Sequence, residues 1–112
     1  MMSSDEVSVG RANKMKVYEG SRTMDGLVVT VDGAPLAEHY EVKQFTKRSF
    51  EWTYEGTSPQ QLALAILFDY TGDPLRAVAL SEPFMKEVVA NFDNDWRLTG
   101  EQIDEFLRNR RA

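Results

Sequence analysis

The chain has 112 residues, a hydrophobic share of 42% and a net charge of -5. That length suits one domain and buries roughly two-thirds of the unfolded surface, so a packed core forms without staples. There is no cysteine, which excludes disulfides, thiolate metal ligands and cysteine nucleophiles together. The acidic excess is spread evenly: residues 1–57 hold nine acids and seven bases, residues 58–112 nine acids and six bases. With no basic patch, nucleic-acid binding through phosphate contacts is disfavoured.

No apolar run approaches the roughly 18 residues of a membrane span. The opening MMSSDEVSVG carries acids where a secretory leader needs bases. The reading is a cytoplasmic protein that does not enter a membrane. Residues 1–13 are polar and patternless and read as a mobile lead-in to a single domain over 14–112.

Met15 to Glu19 alternates as a short strand closed by Gly20. Leu27 to Val31 is apolar and β-branched, a second strand. Asp32-Gly33 marks a turn, followed by Pro35. A third strand is expected over Glu38 to Phe45. Phe50, Trp52 and Tyr54 alternate with Glu51 and Thr53, which predicts a half-buried strand with an aromatic inner face.

The second half is helical. Ser58, Pro59 and Gln61 occupy the N-cap, N1 and N3 positions of a capping box. The helix runs to about Thr71, with Gly72 placed for a left-handed C′. Leu62, Leu64, Ile66, Leu67 and Phe68 cover most of its circumference, leaving Gln61 and Asp69 on a polar stripe. A helix apolar nearly all round is a buried one. Asp73-Pro74 starts a second, short helix, and Ser81 to Pro83 a third, with Met85, Val88, Val89 and Phe92 at helical spacing. Asn91 to Asn94 is a loop, and Trp96 to Leu98 a short extended piece. Thr99 and Gln102 form another box before a last helix that buries Ile103, Phe106 and Leu107, its acids first and its arginines last. The sum is an α+β fold: a small antiparallel sheet of three to four strands from the N-terminal half, packed against three to four helices from the C-terminal half.

A glycine loop feeding a helix is how many proteins hold phosphate, so Gly56 to Gln61 is a candidate anion site, with Lys47 and Arg48 as helpers. Against it stand the capping box, which claims the helix N–H groups, Pro59, which lacks one, and the absence of a Gly-Lys-Ser/Thr or G-x-G-x-x-G pattern. His39, the one histidine, has no signalled nucleophile or base and reads as solvated. Asp93, Asp95, Thr99, Glu101 and Asp104 mimic a calcium-loop spacing, but Arg97 and Leu98 fall where a ligand and the turn glycine belong. Asp69, at the edge of the buried helix, reads as a satisfied boundary carboxylate. Arg108, Arg110 and Arg111 complement the helix dipole, with an Asp104–Arg108 pair. No catalytic, cofactor or metal residues are assigned.

VYEGSR (Val17 to Arg22), VTVDGAPL (Val29 to Leu36), FEWTYEGTSPQQLALAIL (Phe50 to Leu67) and DWRLTGEQI (Asp95 to Ile103) together resemble a family of small single-domain proteins of unknown function from bacteria, haloarchaea and their viruses. The likeness covers residues 17–107. It implies a shared fold and a phage or mobile-element setting, and brings no mechanism. Thr53 and Glu55 stand where that pattern has glycine, which makes this loop stiffer and more acidic. The function expected is a non-enzymatic protein-binding or regulatory module, working with another protein or by self-association. The alternatives are a small-ligand binder or enzyme beside the Gly56 loop and, third, a nucleic-acid accessory protein. The candidate surface is Arg22, Trp52, Tyr54, Gly56 and Trp96, because aromatics and arginine concentrate at partner sites.

Overall fold

The computed structural model describes residues 14–110. The expected mobile segment 1–13 lies outside the described residues. The elements are β1 (Val17–Thr23), β2 (Gly26–Val31), β3 (Ala34–Pro35), α1 (Thr57–Thr71), α2 (Pro74–Glu87), a 3-10 turn (Val89–Asn91), β4 (Trp96–Thr99) and α3 (Gly100–Arg108). The strands form one antiparallel sheet in the order β3-β2-β1-β4. This is the α+β fold the sequence indicates, with one addition: β4 arrives from between α2 and α3 and pairs with β1.

β1 does not end at Gly20. It runs on to Thr23, with Gly20 paired to Trp96 on one side and Val29 on the other. Met24 and Asp25 turn the chain into β2, and Arg22 pairs with Leu27. The Asp32-Gly33 turn forms as expected, with both residues at positive φ (50° and 85°), the geometry of a tight hairpin. Asp32 also exchanges hydrogen bonds with Val17, its N–H donating at 2.8 Å and its Oδ1 accepting at 2.9 Å.

The two strands expected over 38–45 and 50–54 do not form; both stretches are irregular. In the first, the fully buried Gln61 side chain takes the backbone groups a neighbouring strand would need. It accepts from the Phe45 N–H at 2.7 Å and donates to the Glu38 and Lys43 carbonyls at 2.8 and 2.9 Å. In the second, Ser49 and Thr53 at φ 68° and 82° break the extended period. Phe50 and Trp52 still go inside; Tyr54 does not.

The Ser58/Gln61 capping box is likewise absent. α1 starts two residues earlier, with Gly56 at N-cap and no side-chain cap. Ser58 instead shares a hydrogen bond with the Thr46 hydroxyl at 2.9 Å. Gly72 closes the helix in the left-handed region, its N–H on the Phe68 carbonyl. Leu62 to Leu67 are all buried, as the all-round apolar pattern requires. The second and third expected helices are one, α2, with Pro83 inside it. Pro83 removes one helical N–H, and the residue four positions earlier, Ala79, is exposed. Ser81 is not a cap but a buried hydroxyl, accepting from Gln60 Nε2 and donating to the Val78 carbonyl. The Thr99/Gln102 box forms in full and launches α3.

Candidate functional site

Residues of one parity in β1 share a face, so Tyr18, Gly20 and Arg22 point the same way. Each meets a different anchor. The Tyr18 hydroxyl donates to Asp69 Oδ2 on α1 at 2.6 Å, and Lys16 Nζ reaches the same oxygen at 3.0 Å. Burial, then the Asp69 hydrogen bond and charge, push the Tyr18 hydroxyl well above its ordinary value. Gly20 lies under the Trp96 indole. A Cβ there would stand 2.3 Å from Trp96 Nε1, so only glycine leaves room.

Arg22 has four of its five N–H donors used. Its Nε donates to Asn94 Oδ1 at 3.0 Å, Nη2 to Glu51 Oε1 at 3.0 Å and to the Trp52 carbonyl at 3.2 Å. The guanidinium also sits 4.8 Å from the centre of the Trp52 ring, within cation–π range. Trp52, fully buried, donates from Nε1 to the Asn94 carbonyl at 3.1 Å. It meets Trp96 edge to face at 5.8 Å, and Phe92 stacks on Trp96 at 4.2 Å. The fold thus gathers three of the sequence candidates, Arg22, Trp52 and Trp96, into one closed cluster. Its energy goes into joining β1, the 50–52 segment and the approach to β4. The Trp96 indole N–H has no hydrogen-bond partner among the described residues.

The other two candidates, Tyr54 and Gly56, border an open cleft. Leu27, directly across the hairpin from Arg22, forms part of its floor. One cavity of about 430 Å³ lies between Leu27–Val29 and Arg48–Phe50, closed at one end by Leu36 and Glu38. A second, of about 580 Å³, continues from Leu27, Arg48 and Phe50 to Tyr54, Gly56 and Ser58. Leu27 and Tyr54 are 36% and 49% exposed along this line, while Val28 turns its side chain to the other face of the sheet, beside Glu19, Ser21 and Thr30. Arg48 belongs to both cavities, and among the described residues no carboxylate lies within ion-pair distance of it, whereas Arg22, Arg97 and Arg110 each hold one. Gly56 is extended rather than left-handed (φ 171°). An added Cβ there would stand 3.0 Å from the half-exposed Tyr54 ring, a close contact that a small shift of the ring relieves.

The remaining candidates resolve individually. His39, expected to be solvated, packs edge-on against Phe68 at 4.8 Å, with Nδ1 2.9 Å from Glu41. That hydrogen bond holds the Glu41 carboxyl below its ordinary value. Asp69 is satisfied, by Tyr18 and Lys16. The expected Asp104–Arg108 pair is not among the ion pairs. Asp104 stands by Tyr70, raising the tyrosine's pKa behind burial as the larger cause, while Arg110 pairs with Glu87 over the Phe106 ring. Among the described residues no group of three His, Asp or Glu is placed to hold a metal, and no helix is long and apolar enough to cross a membrane.

Asn94, Glu51 and Gly20 complete the cluster without having been singled out by sequence. Gly20 alone carried a signal, sitting between Tyr18 and Arg22 at strand spacing. Leu27 borders the cleft without one, whereas Arg48, expected as a helper beside the Gly56 loop, does line the cavity that holds Gly56 and Ser58.

No curated protein and no solved structure matches the chain. One family model does, over residues 18–109, a span that includes both the tryptophan cluster and the cleft. The chain belongs to that family, a family of unknown function (DUF6166).

Proposed function

We propose that this protein is a protein-binding module, acting through the cleft beside β2 rather than through the tryptophan cluster. The observation that carries the reading is the pair of partly exposed apolar side chains, Leu27 and Tyr54, set along a cleft at an incompletely paired sheet edge. Apolar side chains held open in this way gain free energy only when something covers them. A regulatory role on a host system, in a phage or mobile-element setting, is the context that the sequence resemblance suggests, and the acidic opening of the chain supports cytoplasmic residence.

A photo-crosslinking amino acid at position 54, compared with one at the exposed Glu105 on α3, tests this in lysate of the source cells. The expected result is a discrete protein adduct from position 54 only, abolished by Leu27→Asp. Equal adducts from both positions, or none from position 54, would contradict it.

A small-anion reading of the Gly56 loop has one point in its favour: α1 has no side-chain N-cap, so first-turn N–H groups are open. The hydroxyls nearest them, Thr46 and Ser58, bond to each other instead. Inorganic phosphate separates the two readings. A ligand at about 100 times its Kd adds about 2.7 kcal/mol, so a phosphate site raises the unfolding temperature measurably, and a protein-binding cleft leaves it unchanged.

A further inference from the structure

We infer that the occupant of the cleft is an extended segment of another protein, lying alongside β2 at Leu27 with an acidic side chain on Arg48. This rests on the protein-binding reading and names the partner's chemistry. The first support is the sheet edge. β3 covers β2 only at Thr30 and Val31, and the Leu36 N–H reaches the Val29 carbonyl at 3.0 Å. By strand alternation Leu27 turns its own N–H and C=O to that same side, where among the described residues no strand stands opposite. An open edge of this kind is a template for an added strand.

The second support is the opposite wall. Arg48 to Phe50 stand across the cavity from Leu27 to Val29, so the edge opens into a slot rather than to bulk solvent. Apolar walls at Leu27, Phe50 and Tyr54 match apolar side chains of an inserted segment.

The third is charge. Glu51 is neutralised by Arg22 at 3.0 Å, and the Glu38 carboxylate accepts from the Ser49 hydroxyl at 2.6 Å. Arg48, common to both cavities, has no such partner among the described residues and is left to a carboxylate from outside. A chain at net -5 repels a polyanion at long range, so the fitting ligand is a mixed apolar and acidic segment, not a densely charged one. A second copy of this chain fits less well: neither β2 nor the outer strands β3 and β4 carries an acidic side chain to set on Arg48.

Selection of displayed random peptides of about twelve residues, long enough to span a sheet edge, on the full-length protein tests this directly. The expected winners alternate apolar residues with one Asp or Glu, and shift the amide resonances of Leu27 and Arg48. Arg48→Glu weakens them at least about tenfold, as losing one partner of a close charge pair does; replacing the peptide acid by Lys restores binding to that variant. Leu27→Pro, which deletes the edge N–H and leaves the β1 ladder intact, also weakens them. Winners indifferent to both substitutions would overturn the inference, as would a monomer–dimer equilibrium abolished by Leu27→Pro in the absence of peptide. Winners that shift α2 and α3 amides instead would overturn this placement while leaving the protein-binding reading standing. No winners, together with no adduct from position 54, would remove both.

Discussion

Two arginines approach the same short segment from different sides and have opposite fates. Arg22 reaches Glu51, the Trp52 carbonyl, Asn94 and the face of Trp52, with four of its five N–H donors used. Arg48, three residues before Glu51, touches no carboxylate of its own chain among the described residues and borders an open cleft. The difference follows from what stands opposite. Arg22 lies on a strand whose neighbours are buried aromatics, so its hydrogen bonds are formed in a partly dry setting and lock elements together. Arg48 follows an irregular stretch pinned from behind by Gln61, and its side chain is free to meet a partner. An arginine beside tryptophans is therefore poor evidence of a binding site when its donors are already used.

That contrast predicts a gradient of effects. Trp52→Ala should be the most damaging, at about 3–5 kcal/mol of stability for an emptied aromatic site, read as a fall in the urea midpoint. Gly20→Ala comes next, at about 1–3 kcal/mol, because the added methyl overpacks the Trp96 indole. The cause is separable: in a Trp96→Ala background the same substitution should cost close to nothing, a coupling that a double-mutant cycle resolves.

Tyr18→Phe should cost about 1–2 kcal/mol at neutral pH, since the lost donor faced a carboxylate that keeps Lys16. It also has a pH signature. The folded-state pKa values of Tyr18 and Tyr70 are both raised above the ordinary 10.0. The folded state therefore holds these protons more tightly than the unfolded chain does. Their contribution is complete below about pH 10 and is lost as pH climbs above it, by up to about 1.4 kcal/mol per pH unit for each. Denaturant titrations at alkaline pH should show that decline, and Tyr18→Phe should make it shallower.

Much of the fold was legible because its signals are local. The Leu27–Val31 strand, the Asp32-Gly33 turn, the all-round apolar α1 with Gly72 behind it, and the Thr99/Gln102 box are each decided within a few residues. The stretch from Glu38 to Tyr54 looks extended in sequence, but Gln61 holds its first part and the Phe50–Tyr54 alternation reflects burial of Phe50 and Trp52, not pairing in the sheet. Nothing local separates a Gln that caps its own helix from one whose amide reaches back to Glu38, Lys43 and Phe45. Ser81 and Pro83 read as a helix start for the same reason: the distant partner, Gln60, decides. In the site, the residue types of Arg22, Trp52 and Trp96 stood out, but their meeting depends on Glu51 and Asn94, which have no distinguishing pattern. Arg48 matters through what is missing around it, which only a three-dimensional neighbourhood reveals.

The central claim is that Arg22 serves the fold and Arg48 serves recognition. The direct test measures unfolding temperature and affinity for a selected peptide on two variants, Arg22→Lys and Arg48→Glu. Arg22→Lys keeps a charge for Glu51 but loses the planar fork that also reaches Asn94 and the Trp52 carbonyl. It should cost about 1 kcal/mol, or roughly 4–8 °C for a domain near this size, with peptide affinity kept. Arg48→Glu should leave stability within about 0.5 kcal/mol, as exposed substitutions do, and lose the peptide. Arg22→Lys abolishing binding at unchanged stability, or Arg48→Glu unfolding the protein, would contradict the account.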